Sequence, residues 1–308
     1  MTGGKEGSKK MKSKDAFGSC HPMVNFAYFG LVIGFSMFLM HPVCLFLSLF
    51  CAICYYARLR GRRTLRFLVR YALPLMFLTV VINPAFNHRG MVILCYLPTG
   101  NPLTLESIIY GFAAAVMLVS VLIWFGCCTE IMTSDKFVYL FGRIIPALSL
   151  VLSMTLRFIP RFKEQLERVK EAQRGMRKYN DNGSPLGKLK SAFTCFSAMV
   201  TWALESSIET ADSMKSRGYG LRGRTAFSIY TFTERDKYLL IWLGLDAFFL
   251  MSGSISENLY WQYFPSIRGM LAEPLTIGLE AAYFGLCITP TVVDIWEEKQ
   301  WKYLRSKI

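Results

Sequence analysis

The sequence has little of what enzyme and metal chemistry requires. Only three of its 308 residues are histidines, and its apolar segments contain no paired carboxylates. A phosphate loop of the GxxxxGK[ST] type is missing, so we do not expect the chain to bind ATP itself. The nine cysteines lie mostly in apolar runs, and the one CxxC spacing, Cys51 and Cys54, has no second pair. We therefore expect no metal, cofactor or catalytic site, and we interpret the cysteines as small buried hydrophobic residues.

The sequence is rich in long apolar runs. Hydrophobic residues make up 53% of the chain and aromatic residues 15%, a composition typical of membrane proteins. Six runs approach the roughly 20 residues that a membrane-spanning helix needs. They are residues 24–40, 43–57, 67–82, 105–128, 238–251 and 274–293. We predict an all-α polytopic membrane protein with about six transmembrane helices.

The positive charges are placed unevenly along this chain, whose net charge is +14. The first fourteen residues hold five lysines and the 58–66 link holds five arginines, whereas Arg89 is the only charged residue of the 83–104 loop. The positive-inside rule then puts both termini and the 58–66 link in the cytosol. The Lys-rich start leads into a span without a small-residue cleavage site, so we expect no cleavable signal. Lipid, rather than nucleic acid, is the expected partner of the basic residues.

Six spans fit this charge pattern and leave a long cytosolic insertion. The predicted organisation is a basic cytosolic N-terminus (1–23), transmembrane helices 1–4 (24–128), cytosolic or interfacial coupling helices (129–237), transmembrane helices 5–6 (238–293) and a cytosolic C-terminus (294–308). The apolar run 144–156 is too short to span and lies between Arg143 and Arg157. We interpret it as a helix at the inner face of the membrane. A true span at 144–156 is the alternative.

Two long amphipathic helices are predicted within this insertion. The first covers residues 148–177 and precedes a polar turn. The second starts after Ser184, a capping residue followed by proline, and stops at Arg217-Gly218, where glycine can adopt a left-handed cap. Its apolar residues recur every three or four positions and form one stripe: Leu189, Phe193, Phe196, Val200, Leu204, Ile208, Ala211 and Met214.

Both predicted helices finish with an arginine beside a glycine, Arg174-Gly175 and Arg217-Gly218. An arginine at a helix terminus is often only a favourable partner of the helix dipole. Two interfacial helices stabilised by anionic lipid are a further interpretation of this basic region. The repetition of the pair on consecutive helices instead favours a two-pronged protein-docking surface.

At these residues the sequence resembles the transmembrane T component of energy-coupling factor (ECF) transporters. The segment from Ala211 to Tyr219, which reads ADSMKSRGY, is similar to the second Ala/Ser-Arg-Gly motif of that family and the residues before it. Further similar segments are residues 83–90, 132–136 and 154–160, together with His21-Pro22. The resemblance covers nearly the whole chain.

The first arginine motif departs from the family pattern. The family usually reads Ala-Gln-x-Ala-Arg-Gly, whereas Met176 occupies the usual arginine position here. Either Arg174 or Arg177 therefore takes the role of the motif arginine, and Arg174 is the choice that preserves an Arg-Gly pair. The docking residues that the resemblance implies are Gln173, Arg174, Gly175 and Arg177 in the first motif and Ser216, Arg217 and Gly218 in the second.

The resemblance also implies partners and a location. T components link two cytosolic ABC-type ATPases to a small membrane-embedded S component that binds the substrate, a vitamin or other micronutrient. They are non-catalytic subunits in the plasma membrane of prokaryotes. A membrane scaffold without a transport role is the alternative, and a membrane-embedded enzyme is a weaker one because the spans offer only the separate carboxylates Asp246 and Glu280.

The predicted topology can be tested with reporter fusions at Asp135, Asn180 and Tyr230. The charge distribution predicts a cytosolic reporter at all three positions. A periplasmic or extracellular reporter at Asn180 would instead make residues 144–156 a true span.

Overall fold

The computed structural model describes residues 16–96, 102–144, 146–176, 185–219, 221, 230–256, 259–269 and 273–307. The chain divides into two compact units. The larger unit comprises Met1–Thr133 and Tyr230–Ile308, and the smaller unit comprises Ser134–Ile229. Each unit is described separately below.

Helices account for most of the described residues. In chain order they are α1 (Pro22–Phe38), α2 (Pro42–Arg60), α3 (Arg63–Phe67), α4 (Leu73–Phe86), α5 (Leu105–Ile131), α6 (Ser134–Ile144), α7 (Pro146–Gly175), α8 (Pro185–Ser216), α9 (Glu234–Ile255) and α10 (Pro274–Arg305). A π-helical turn, Leu68–Ala72, joins α3 to α4. Short hairpins pair β1 (Ile93–Tyr96) with β2 (Pro102–Thr104), and β3 (Trp261–Gln262) with β4 (Arg268–Gly269).

The prediction of an all-α polytopic membrane protein is confirmed. Among the described residues, five helical segments are long and apolar enough to cross a membrane: α2, the α3–α4 segment, α5, α9 and α10. Helix α1 is apolar but shorter, with 17 residues, which is about the minimum for a span. Most of the helices continue past the ends of the predicted apolar runs, because backbone hydrogen bonding continues through polar residues such as Arg58 and Arg60 at the end of α2. Helix α1 is the exception and ends at Phe38, two residues before its predicted end.

The connection between the third and fourth spans differs from the predicted irregular loop. Helix α4 continues to Phe86, and the antiparallel strands β1 and β2 follow it, with Ile93 opposite Thr104. The buried Glu106 carboxylate accepts hydrogen bonds from the backbone N–H of Val92, at 3.2 and 3.3 Å. Strands this short lack the alternation that would have revealed them in the sequence.

A group of hydrogen-bonded side chains, the polar knot, ties four helices together in the interior of the larger unit. It consists of Ser36 on α1, Ser48 on α2, Trp124 on α5 and Tyr283 on α10, all buried. The Ser36 hydroxyl lies 2.9 Å from the Ser48 hydroxyl and 2.8 Å from the Tyr283 hydroxyl. Trp124 Nε1 donates to Ser48 Oγ at 3.1 Å. Because hydrocarbon offers no competing water, these groups must find their partners within the protein.

One end of the larger unit, the charged end, gathers the arginines and carboxylates of several helices. The backbone N–H of Phe17 donates to Asp294 on α10 at 2.8 Å, and that of His21 donates to Asp236 on α9 at 3.0 Å. Phe17 itself is fully buried. These bonds fasten the segment before α1 to the last two long helices. Arg235 Nη1 also lies 2.9 Å from Glu297, which joins the start of α9 to α10.

The opposite end of the larger unit contains the pair His41 and Glu280. His41 Nδ1 lies 3.1 Å from Glu280 Oε1, and the Trp261 ring meets the His41 ring edge to face. The hydroxyl of the adjacent Tyr263 donates to the carbonyl of Met40 at 2.8 Å. Of the two separate carboxylates in the sequence, Glu280 thus lies at ion-pair distance from a histidine. Neither its buried Oε1 nor the buried Oδ2 of Asp246 has a hydrogen-bond partner among the described residues.

The cysteine interpretation is confirmed for most positions. All nine cysteines are free. Six are buried, namely Cys20, Cys44, Cys51, Cys127, Cys195 and Cys287, while Cys54 and Cys128 are half-buried and Cys95 is exposed.

Removal of one hydroxyl from the polar knot should destabilise the larger unit. In Ser48→Ala, Trp124 Nε1 loses its acceptor and remains buried, which should cost about 1–3 kcal/mol. Thermal unfolding in detergent should therefore shift to lower temperature. Ser252→Ala is the matched control, because that exposed hydroxyl bonds only to the Phe249 carbonyl of its own helix. Equal stability of the two variants would contradict the role of the knot.

Candidate partner-docking surfaces

Helices α7 and α8 of the smaller unit form an antiparallel pair. The Phe162 and Trp202 rings lie 5.4 Å apart, and the Cys195 thiol lies 3.7 Å from the Gln173 side-chain oxygen. Residue numbers therefore rise along α7 as they fall along α8. Helix α7 runs without interruption through Pro160 and includes most of the 144–156 run. Helix α6, which precedes it, was not predicted from the sequence.

The end of α8 has the geometry of a Schellman cap. The N–H of Tyr219 donates to the Met214 carbonyl and that of Gly218 donates to the Lys215 carbonyl, both at 3.0 Å. Gly218 has a φ of 77°, which confirms the left-handed conformation predicted for it. The cap places Arg217 directly before the left-handed Gly218, with its side chain exposed. Ser216 beside it bonds to the Ser213 carbonyl of its own helix at 2.9 Å.

The end of α7 is built differently. Gln173 is buried against Cys195 of α8, so its side chain holds the helix pair together. The next residue, Arg174, is exposed in the last turn, and Gly175 is the last helical residue. Gly175 has open space where a Cβ would stand and no left-handed φ. Arg177, the other candidate for the first motif arginine, lies outside the described residues.

The two motif arginines lie towards opposite ends of the helix pair. Because Gln173 contacts Cys195, Arg174 lies near the level of Cys195 on α8. Arg217 comes 22 positions after Cys195 on α8, which corresponds to about 33 Å at the rise of an α-helix. The structure therefore separates the two predicted docking ends and presents each arginine to solvent.

The apolar stripe predicted on α8 is largely uncovered within the smaller unit. Its members Leu189, Phe193, Phe196, Val200, Leu204 and Ile208 are each between 41% and 66% exposed. The residues that α8 buries are instead Ser191, Cys195 and Met199, one helical turn apart. Such a long exposed apolar surface is typical of contact with lipid or with another protein.

A groove of about 640 Å³ lies between α7 and α8. Its floor is apolar and includes Leu166 of α7 and Met199 of α8, while Phe196 joins it to the exposed stripe. Lys163 and Lys170 stand along its α7 side. Methionine and phenylalanine adapt their packing to different partners, so the groove suits an apolar segment of another protein.

Comparisons with known proteins show what the chain is similar to. The sequence model of the CbiQ cobalt transport protein family matches residues 20–227, more than half of the chain. The chain is also similar to proteins named energy-coupling factor transporter transmembrane protein EcfT. The protein from Lactobacillus helveticus is 26% identical over 110 residues, 34% of this chain and 40% of the relative. Those from Listeria innocua (30% over 99 residues, 32% and 37%) and Streptococcus thermophilus (30% over 114 residues, 35% and 43%) match similarly. Each match thus covers less than half of the relative.

The cap of α8 can be tested with two glycine substitutions. Gly218→Ala should strain the left-handed turn by about 1–2 kcal/mol, and its Cβ would lie 3.1 Å from Leu221. Hydrogen exchange at Tyr219 should therefore accelerate by about tenfold. Gly175→Ala at the end of α7 is the matched control and should leave exchange unchanged. Equal exchange at Tyr219 in the two variants would contradict the assigned cap.

Proposed function

The chain belongs to the CbiQ cobalt transport protein family, and on that basis we propose that it is the T component of an ECF-type ABC importer. In this role it couples two cytosolic ATPases to a membrane S component that binds a vitamin or other micronutrient. ATP hydrolysis belongs to the partners, and the S component chooses the substrate. The observation that carries the proposal is the pair of exposed arginines at well-separated ends of the antiparallel helices α7 and α8.

We propose that each arginine docks on one ATPase. A guanidinium stays charged and donates hydrogen bonds in a fixed planar fork, so it anchors well to carboxylates in a groove of a partner. Arg217 stands on a rigid cap that fixes its direction. The two arginines are separated by about 33 Å along the helix axis. This separation leaves room for a separate ATPase subunit at each end of the helix pair.

The helices behind the arginines would act as levers. Both are long, with 30 residues in α7 and 32 in α8, and they contact each other at Phe162–Trp202 and at Gln173–Cys195. Closure of the ATPases on nucleotide would change the separation of the two docked ends. Rotation of one helix against the other would pass that movement to the apolar surface of the pair.

The exposed stripe of α8 and the adjoining groove are the proposed contact surface for the S component. A membrane-embedded partner presents apolar side chains, and the stripe leaves Phe193, Leu204 and Ile208 uncovered for it. Packing against Met199 and Phe196 tolerates sliding as the levers move. From the charge distribution we also propose that residues 129–237 and both chain termini lie in the cytosol of a prokaryotic cell.

Arg217→Ala should disrupt coupling while leaving membrane insertion intact. Loss of the guanidinium removes charge-assisted hydrogen bonds, worth about 1.5–3 kcal/mol each, so retention of the ATPases in pull-downs should fall by about tenfold or more. Substrate uptake by cells should fall with it. Arg168→Ala removes the same charge from an exposed position on α7 and should behave as wild type. Normal ATPase retention and uptake in Arg217→Ala would contradict the proposal and favour a scaffold without a transport role.

The identity of the first docking arginine is tested by single and double substitution at positions 174 and 177. If Arg174 is the contact, Arg174→Ala alone should match the double variant in ATPase retention, and Arg177→Ala should retain the ATPases. The reverse order would assign the contact to Arg177. Full retention in the double variant would remove the first docking end from the proposal.

A further inference from the structure

Six arginines lie within residues 58–70, where α2 ends and the α3–α4 segment begins, at the charged end of the larger unit. Two of them have acidic partners on other helices. Arg58 lies 3.2 Å from Glu298 of α10, and Arg60 pairs with Glu130 of α5. These pairs connect three helices, so the protein itself accounts for both charges.

The remaining four arginines, here called the arginine face, are exposed and have no acidic partner among the described residues. They are Arg62, Arg63, Arg66 and Arg70. Positions 63, 66 and 70 are three and four residues apart, so their side chains share one side of the helix. The set covers the nine positions from 62 to 70, or about 12 Å at the rise of an α-helix.

The arginine face belongs to the membrane-spanning segment that is least covered by protein. Within the most apolar 18 residues of the α3–α4 segment, only 6% of the residues are buried. The corresponding share is 22–44% for the other long apolar helices. Apolar neighbours of the arginines are exposed as well, among them Leu65 (68%) and Val69 (56%). In a membrane, lipid therefore covers this surface.

Four like charges in so short a length of helix repel one another, and like-charged pairs at this spacing destabilise a helix. Arg70 adds to the cost because it lies on the π turn inside the membrane-crossing segment. A long arginine side chain at such a position extends its charged group towards the headgroup region. The chemistry that relieves this repulsion is an anion at the membrane surface.

We propose that the arginine face is a binding site for the phosphate groups of an anionic phospholipid. Guanidinium groups bind phosphate through paired hydrogen bonds in a fixed plane, and the exposed apolar side chains beside them meet the acyl chains. The lipid supplies the partners that Glu298 and Glu130 supply to Arg58 and Arg60. The proposal depends on membrane insertion alone and is independent of the proposed transport role.

The test measures lipid binding to the purified full-length chain in mild detergent by native mass spectrometry. The probes are phosphatidylglycerol, phosphatidylcholine and inorganic phosphate. We expect phosphatidylglycerol to bind about tenfold or more tightly than phosphatidylcholine, a preference of about 1.4 kcal/mol or more. In the triple variant Arg63→Gln/Arg66→Gln/Arg70→Gln this preference should fall below about twofold.

The matched control removes three positive charges from the C-terminal part of α10 and the residues after it. The variant Lys299→Gln/Arg305→Gln/Lys307→Gln should retain the full lipid preference, because those exposed side chains lie outside the arginine face. An equal loss of preference in both triple variants would show only diffuse charge attraction and would overturn the proposal. Displacement of the lipid by millimolar inorganic phosphate would also overturn it, because the site would then take free phosphate.

A charge-conserving variant keeps the test decisive if the glutamine variant fails to insert. Arg63→Lys/Arg66→Lys/Arg70→Lys preserves the positive charge that directs topology but removes the planar fork. We expect its preference for phosphatidylglycerol to fall about threefold or more, with the reporter at Asp135 unchanged. Full preference in the lysine variant, together with loss of insertion in the glutamine variant, would assign the arginines to topology alone.

Discussion

The polar knot of Ser36, Ser48, Trp124 and Tyr283 is the interaction on which the larger unit depends. A membrane interior gives apolar side chains little reason to prefer one another over lipid, so packing and internal hydrogen bonds must hold the helices together. The knot draws these bonds from α1, α2, α5 and α10. The charged end adds a second set of ties through Asp236 and Asp294. Together they join α1, α2, α5, α9 and α10 into one frame that includes the short first span.

Each unit also has a segment whose apolar side chains stay exposed. The α3–α4 segment contributes nothing to the knot and is the least buried of the long apolar helices, which leaves its arginines available to lipid. In the smaller unit, α7 and α8 contact each other through the Phe162 and Trp202 rings and through Gln173 and Cys195. Phe193, Leu204 and Ile208 of α8 nevertheless stay exposed, which is the opposite of the usual placement of large apolar residues in an isolated soluble helical pair.

Much of this arrangement could be predicted from the sequence. Apolar length revealed the spans, the Arg-Gly pairs marked the helix ends, and the motif around Arg217 indicated a resemblance to ECF T components that the family match confirms. The left-handed Gly218 was predictable because glycine alone adopts that conformation without strain. The hairpins, helix α6 and the face of α8 that packs on α7 were not predictable. Strands of two to four residues carry no clear period, and the choice of Ser191 and Cys195 over Phe193 depends on tertiary contacts that hydrophobicity does not encode.

The structure shows how the first arginine motif, which departs from the family pattern, is arranged. The buried Gln173 contacts Cys195 of α8, and the exposed Arg174 follows it directly. The most direct test of the central claim is the mass of the intact complex that copurifies with this chain in mild detergent, measured by native mass spectrometry. The account predicts one copy of the chain with two ABC ATPase subunits and one small membrane protein. A complex that contains no ATPase, or a single one, would contradict it.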